Sequence, residues 1–433
     1  MNESRDPSTA ALSLLTKGLP PSPLHTEIAS TDVASRRLDL LAGDVPLPAA
    51  VLKDSALRHN SRWMRAFLAQ NDVAIAPHGK TTMSPALFHR QIADGAWGIT
   101  AATVHQAAVM QASGIRRVLI ANEVVDPVSM RWCFDVLRTD PEFELHVLVD
   151  SLDGVARLDR AGRDSNSARP LSLLVELGVP GGRTGCRTVE QALDVARAVA
   201  RAAPQLRLGG VEGYEGAVPG DDAEGKEDAI RAFVARMAVL ARACAQENLF
   251  ASDPVLLTAG GSAYFDLCTA LPRELAGRRT QVMLRSGCYL TFDEGYYGRR
   301  WARIVQRSPG IASLGEPLRP AIEIWSSVQS VPEPGLAILT MGKRDVAHDV
   351  DLPFPRWRAA EGSRAVQPAP ASWRIEALND QHAFMRGDHD AMPRVGERIG
   401  CAISHPCTTF DKWRTVLIVD DDYRVVDAIA TYF

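Results

Sequence analysis

No apolar run in these 433 residues approaches the roughly 20 that a membrane helix needs. The N-terminus also lacks the basic stretch followed by an apolar one that marks a secretory signal, so the chain is expected in the cytoplasm with no membrane partner. There is no surplus of positive charge: a net charge of -4 and a pI of about 6.2 argue against nucleic acid or an anionic membrane surface. The seven cysteines (Cys133, Cys186, Cys244, Cys268, Cys288, Cys401, Cys407) follow no regular spacing, which suits a reducing compartment with thiols that are reduced or metal-bound. Lysine is scarce: against an arginine excess there are six, Lys17, Lys53, Lys80, Lys226, Lys343 and Lys412. With 46% hydrophobic residues, the chain can bury a sizeable core and is long enough for two domains.

From residue 50 to about residue 290, short β-like runs alternate with amphipathic helical stretches, the pattern of a parallel sheet with helical crossovers. The predicted strands are Val73–Ala76, Trp97–Ala101, Val118–Ala121, Leu145–Val149, Leu171–Leu177, Leu208–Val211, Val255–Thr258 and Val282–Leu284. Helices are predicted between them, among others over Ser84–Ala93, Val104–Ala112, Thr188–Ala202 and Glu224–Gln246, several opened by Ser, Thr or Asp. An open doubly wound sheet alternates in the same way, but eight βα units close naturally into a TIM (β/α)8 barrel.

After Arg300 the segments Ala321–Val331, Leu336–Met341, Trp373–Leu378, Arg398–Ile403, Thr415–Val419 and Tyr423–Ala428 read as strands of an all-β domain. Turns at Glu333-Pro334-Gly335, Asn379-Asp380 and Asp420-Asp421-Asp422 separate them. Pro353–Pro370, rich in Pro, Arg and Trp without a period, is read as a loop or lid. The expected organisation is an N-terminal arm over residues 1–45, a barrel over 46–300 and a β domain over 301–433. Met1–Pro7 is expected to be mobile, and Leu38–Val51 to return to the β domain.

Polar and glycine-rich residues follow the predicted strands, where barrel active sites are built. Lys80 comes after the first strand, in Ala76-Pro-His-Gly-Lys-Thr-Thr82. A lysine amine can form a Schiff base with an aldehyde cofactor, which arginine cannot, although a solvent-exposed loop lysine would carry the same local sequence. Thr100 and Thr103 stand at the end of the second strand, Asn122 and Glu123 follow the third, Arg183 lies in the glycine-rich loop Glu176–Gly185, and Tyr214 follows the sixth strand. Thr258-Ala-Gly-Gly-Ser262 leads into a predicted helix over Ala263–Leu271, whose N-terminal backbone amides would form an anion site completed by Arg285–Tyr289. In the β domain, His405 and Cys407 are two apart; on a strand they would face one side and could share a zinc-like metal, Cys401 being a distractor and His382 either a neighbour of the site or a turn-stabilising residue.

Taken together, Pro-His-x-Lys-Thr, Gly98–Thr103, Leu119–Val125, the Gly-Gly-Arg-Thr-Gly loop, Thr-Ala-Gly-Gly-Ser and the late His-x-Cys resemble the fold-type III pyridoxal-phosphate enzymes of the D-serine dehydratase and D-threonine aldolase group. The likeness runs from about residue 46 to the end. It implies an alanine racemase-like fold and pyridoxal 5'-phosphate on Lys80. Gly260, Gly261, Ser262 and Tyr289 would hold the phosphate, Arg183 and Tyr214 are candidates for ring contacts, and His405 and Cys407 would hold a divalent metal, zinc by its ligands. A homodimer and a small amino-acid substrate are implied as well. A metal pair containing cysteine resembles the dehydratases more than the aldolases, so the expected reaction removes water from a D-β-hydroxy amino acid, leaving keto acid and ammonia. Retro-aldol cleavage is the alternative. A racemase would need a second base and no metal, and a non-enzymatic cofactor carrier would resemble the barrel alone. The chain departs from the family pattern at Thr82-Met83, where a second basic residue often stands, in its N-terminal extension, and in Pro353–Pro370.

Overall fold

The computed structural model describes residues 11–220 and 223–433, so the expectation for Met1–Pro7 lies outside the described residues. The chain forms two compact units. One comprises Arg65–Lys80 and Gln91–Gly287; the other comprises residues up to Met64, Thr81–Arg90 and Cys288–Phe433.

The first unit is a parallel barrel whose strands are Ala74–Ile75 (β1), Ile99–Ala101 (β2), Arg117–Glu123 (β3), Glu144–Val149 (β4), Leu171–Leu177 (β5), Leu206–Gly213 (β6), Val255–Thr258 (β7) and Arg278–Leu284 (β8). From β2 to β8 each strand pairs in parallel with the next, and β8 pairs with β1. Closure between β1 and β2 uses Trp97 N–H to Ile75 O at 2.8 Å and Thr100 N–H to Pro77 O at 2.9 Å. β5 is buried at every position, Ser172 and Glu176 included, which is why it shows no alternation of apolar and polar residues. Ala76, Leu119, Leu148, Leu174, Leu256 and Met283 pack as one cluster of the core.

The helices begin where the sequence places caps. Thr103, Asp126 and Ser151 accept from the N–H groups of Gln106, Ser129 and Gly154, and Thr188 with Gln191 forms a reciprocal capping box. One helix is much shorter than predicted: Ala263–Leu271 contains only the single turn Phe265–Cys268. The dipole of a long helix is therefore missing after β7, and any anion binding there depends on the loop's own N–H groups.

The second unit is built on a ten-stranded sheet. Its central strand Ile322–Glu333 is flanked by Arg398–Ala402 and by Ala49–Lys53, both antiparallel, and Ala49–Lys53 also pairs in parallel with Thr415–Val419. The segment Ala49–Lys53 is thus a strand of this sheet. Around it, Leu40, Trp325, Leu417, Val419 and Tyr423 belong to one buried cluster. Glu323 is buried there, and the Trp325 Nε1 and Tyr423 OH groups donate to its Oε2 at 2.8 and 3.1 Å, satisfying an otherwise costly carboxylate.

The reading of Pro353–Pro370 as a loop is corrected. Phe354–Ala359 is a strand paired with Arg398–Ala402, and Gln367–Pro368 pairs with it at the sheet edge. Pro355 disguised it: the register shifts between Pro355 and Trp357, so the missing N–H falls at an irregularity that tolerates proline. No helix among the described residues is long and apolar enough to cross a membrane.

Candidate active site

Lys80 stands where the sequence placed it, past the C-terminal end of β1, in the short 3-10 turn Gly79–Thr81 with its side chain exposed. His78, two residues earlier, has its N–H on Arg285 O at 3.1 Å. Its imidazole is held well below the usual histidine range, first by burial and then by the positive charges of Lys80 and Arg285. The rim therefore collects cationic charge around a neutral histidine. Arg285 is itself buried and ion-paired with Glu212 of β6, while its Nη2 donates to Gly213 O at 3.1 Å. Despite that pairing, burial pushes the Glu212 carboxyl up to about 8.

On the same rim, the Arg183 guanidinium lies 5.1 Å from the centre of the Tyr214 ring, and both line a small pocket with Glu176, Val179 and Thr184. A Cβ added at Gly261 would stand 3.1 Å from Tyr214 Cε2, so Arg183, Tyr214 and Gly261 form one neighbourhood. Gly260 needs its glycine: φ is +96°, and a Cβ would approach Leu284 Cδ2 to 2.7 Å. The N–H groups of Gly260 and Gly261 donate to the two carboxylate oxygens of Glu215, at 3.0 and 2.6 Å. The pair is thus arranged to grip two oxygens of one anion. Glu215 was not predicted as a site residue. It follows Tyr214 directly, but only the pairing of β6 with β7 brings it against Gly260.

Three further carboxylates gather at the ends of successive strands. Ligand oxygens of Glu123, Asp150 and Glu176 lie within 4.8 Å of one another, the one such trio of histidine, cysteine or acidic donors among the described residues. Burial first, then a hydrogen bond and repulsion from Glu176, push the Glu123 carboxyl up to about 9. A proton on Glu123 thus relieves the crowding of negative charge. Thr184 Oγ1 donates to Glu176 Oε1 at 3.0 Å.

In the second unit, the expectation that His405 and Cys407 share a strand is corrected. The strand ends at Ala402, and Cys407 opens the one-turn helix Cys407–Phe410. Pro406 is the cause: at φ −57° and ψ −44° it starts a helical turn, with its carbonyl accepting from Thr409 and Phe410. Side-chain alternation therefore does not relate the two residues. Instead His405 Nδ1 meets Asp349 Oδ2 at 2.6 Å and Thr408 Oγ1 at 3.2 Å. These His405 and Thr408 hydrogen bonds hold the Asp349 carboxyl below its usual range, against the upward pull of partial burial. With Nδ1 donating to a carboxylate, Nε2 carries the lone pair, the arrangement seen behind metal-bound histidines. Cys407 Sγ lies 3.4 Å from Thr81 Oγ1, the residue after Lys80, and 3.8 Å from Cys288 Sγ. None of the cysteines is in a disulfide. Tyr289 is buried in this same unit, and so is Cys401, far up its titration range from burial. His382 lies in a turn, its carbonyl accepting from Asn379 N–H. Asp349 was missed because it lies 56 residues before His405 with no motif around it.

Residues 53–268 match the model of the alanine racemase N-terminal domain, and residues 321–419 match that of the serine dehydratase domain. A D-threonine aldolase from an Arthrobacter species is 26% identical over 379 residues, covering 87% of this chain and 90% of that protein. Among solved structures, D-threonine aldolase from Filomicrobium marinum superposes with a TM-score of 0.73 at 24% identity, over 90% of this chain and 95% of that one. D-threo-3-hydroxyaspartate dehydratase from Delftia sp. HT23 follows with a TM-score of 0.68 at 20% identity, over 91% and 99%. With an alanine racemase-type barrel domain followed by a serine dehydratase-type domain, the chain belongs to the fold-type III pyridoxal-phosphate family of the D-serine dehydratases and D-threonine aldolases.

Proposed function

We propose that this protein is a pyridoxal-phosphate- and metal-dependent lyase that removes water from a D-β-hydroxy amino acid, giving a keto acid and ammonia. The observation that carries the metal half of this reading is His405, its Nδ1 held by Asp349 and its Nε2 left to bind, two residues from a cysteine. The cofactor half rests on Lys80 at the barrel rim and on the Gly260 and Gly261 N–H groups, which already hold a carboxylate. When bound, the pyridinium ring supplies a sink for the electrons left at Cα, and the metal supplies Lewis acidity at the β-hydroxyl.

The chain's own residues do the rest. Lys80 Nζ anchors the cofactor, and once freed it takes the α-proton of the substrate. Gly260 and Gly261 hold the phosphate in place of Glu215, whose carboxyl burial raises from its ordinary value. Ser262 and Tyr289 complete the phosphate contacts, and Arg183 and Tyr214 border the ring. His405 and Cys407 hold the metal, with Asp349 fixing the imidazole's tautomer and direction. A protein of this kind acts on a small amino acid as a homodimer in the cytoplasm.

Retro-aldol cleavage is the second reading. It is favoured by the extent of the match to D-threonine aldolase, which spans 87% of this chain. Both reactions would use the same anchor and metal; elimination takes the α-proton and breaks Cβ–O, whereas cleavage takes the β-hydroxyl proton and breaks Cα–Cβ. Incubating the holoenzyme with D-serine, D-threonine and D-threo-3-hydroxyaspartate separates them. Keto acid with ammonia marks elimination, and glycine with an aldehyde marks cleavage. Lys80→Ala should form neither and should lose the visible absorption of the lysine-bound cofactor. Absence of both product pairs from the wild type with all three substrates would end the lyase reading.

A further inference from the structure

In the second unit, the Sγ atoms of Cys288 and Cys407 lie 3.8 Å apart. Thr81 Oγ1 touches both, at 3.7 Å from Cys288 and 3.4 Å from Cys407. Cys288 is 4% exposed, and Cys407 is partly exposed. At that separation the two sulfurs are in contact as thiols and are not joined in a disulfide, which would bring them to about 2.05 Å. Two thiolates on one tetrahedral zinc, each about 2.3 Å from the ion, stand about 3.8 Å apart. The observed spacing equals the ligand-to-ligand distance of that geometry.

We propose that Cys288 is a protein ligand of the metal, paired with Cys407. The inference rests on the metal reading of His405 and Cys407 and changes the character of that site. His405 and Cys407 alone form a two-ligand site of mixed type that leaves two positions open. Adding Cys288 gives two thiolates and an imidazole, a soft set that selects zinc over magnesium, manganese or calcium. Three protein ligands also leave one position for the substrate hydroxyl, the usual composition of a catalytic zinc site. The sulfurs already stand at the required separation, whereas Cys288, His405 and Cys407 are not all within 4.8 Å of one another. A metal held by the two sulfurs would therefore need the His405 ring to come closer to them to complete the set.

Nothing in the chain's local sequence suggests this role. Cys288 lies 119 positions before Cys407, next to Tyr289, and reads as a small apolar residue at the end of the barrel segment.

The test uses the full-length protein loaded with cobalt(II) in place of zinc. Thiolate-to-cobalt charge-transfer absorption in the near ultraviolet scales with the number of bound sulfurs. The wild type should show the intensity of two thiolates, and Cys288→Ser and Cys407→Ser should each show about half. His405→Ala should keep both sulfur bands while changing the cobalt ligand-field bands. Zinc affinity, measured by competition with a chromophoric chelator, should fall at least 10-fold in Cys288→Ser. X-ray absorption of the zinc-loaded wild type needs no variant and should count two sulfur neighbours. One sulfur by that measurement, or undiminished charge transfer and zinc affinity in Cys288→Ser, overturns the role of Cys288 and leaves His405 and Cys407 standing. Failure of the wild type to take up cobalt or zinc overturns both readings together.

Discussion

Replacing Gly261 by valine separates cofactor binding from folding. Gly261 has no left-handed backbone angle, so a β-branched residue is allowed there, but its Cβ would lie 3.1 Å from Tyr214 Cε2 and 3.2 Å from Glu215 Oε1. Those contacts are tight by a few tenths of an ångström, and the two methyl groups beyond Cβ reach further. The loop must therefore move away from the point where the Gly260 and Gly261 N–H groups converge on an anion. A hydrogen bond to a charged partner is worth about 1.5–3 kcal/mol. Losing one of the two should weaken cofactor binding by about 10- to 150-fold, since about 1.4 kcal/mol corresponds to tenfold. Folding should suffer less, by about 1 kcal/mol, because Gly261 is only half-buried and its loop can adjust. Gly260→Ala is the contrasting control. With φ at +96° and Leu284 Cδ2 at 2.7 Å, it should lose about 1–3 kcal/mol of stability through strain. Titrating cofactor-stripped protein with pyridoxal phosphate, followed by visible absorption, gives affinity, and urea unfolding of the same preparations gives stability. If Gly261→Val binds cofactor as tightly as the wild type, the phosphate is held elsewhere. Loss of affinity only in step with loss of stability would likewise refute the cradle.

Two further outcomes are expected. Asp349→Asn should leave the fold intact and lower metal affinity by about 10- to 100-fold, since the carboxylate sets the His405 tautomer; a chelator competition showing no change would remove His405 from the metal site. Glu123 is pushed up to about 9 in the folded state against about 4.3 when unfolded, so between those values the folded chain holds the extra proton. Its contribution to stability is full below about pH 4.3 and is lost as pH rises through 9. Glu123→Gln should therefore flatten the decline in urea midpoint between pH 6 and pH 9, and an unchanged slope would show that Glu123 does not carry that proton.

Much of the barrel was legible because its signals are local. Leu171–Leu177 and Val255–Thr258 are strands at the predicted bounds, since a short, mostly apolar run between turn residues needs no distant information. Thr188 and Gln191, three apart, announce the capped start of their helix, and a lysine just past a barrel strand lands on the rim by the handedness of the βα unit. Where local chemistry was ambiguous, tertiary partners decided. Pro355 argued against a strand until Arg398–Ala402 offered a ladder with an irregularity to absorb it. His405 and Cys407 promised a strand pair, and Pro406 turned the chain into a helix, leaving the imidazole to be aimed by Asp349 and the thiol to be matched by Cys288. Glu215 carries no motif, yet strand pairing sets its carboxylate on the two glycine N–H groups. Periodicity and caps are written between neighbours in the chain, so the sequence by itself determined the strands, most of the helices and the position of Lys80. Which carboxylate orients a histidine, or which thiol faces another across 119 residues, depends on a register that exists only once the sheet has formed.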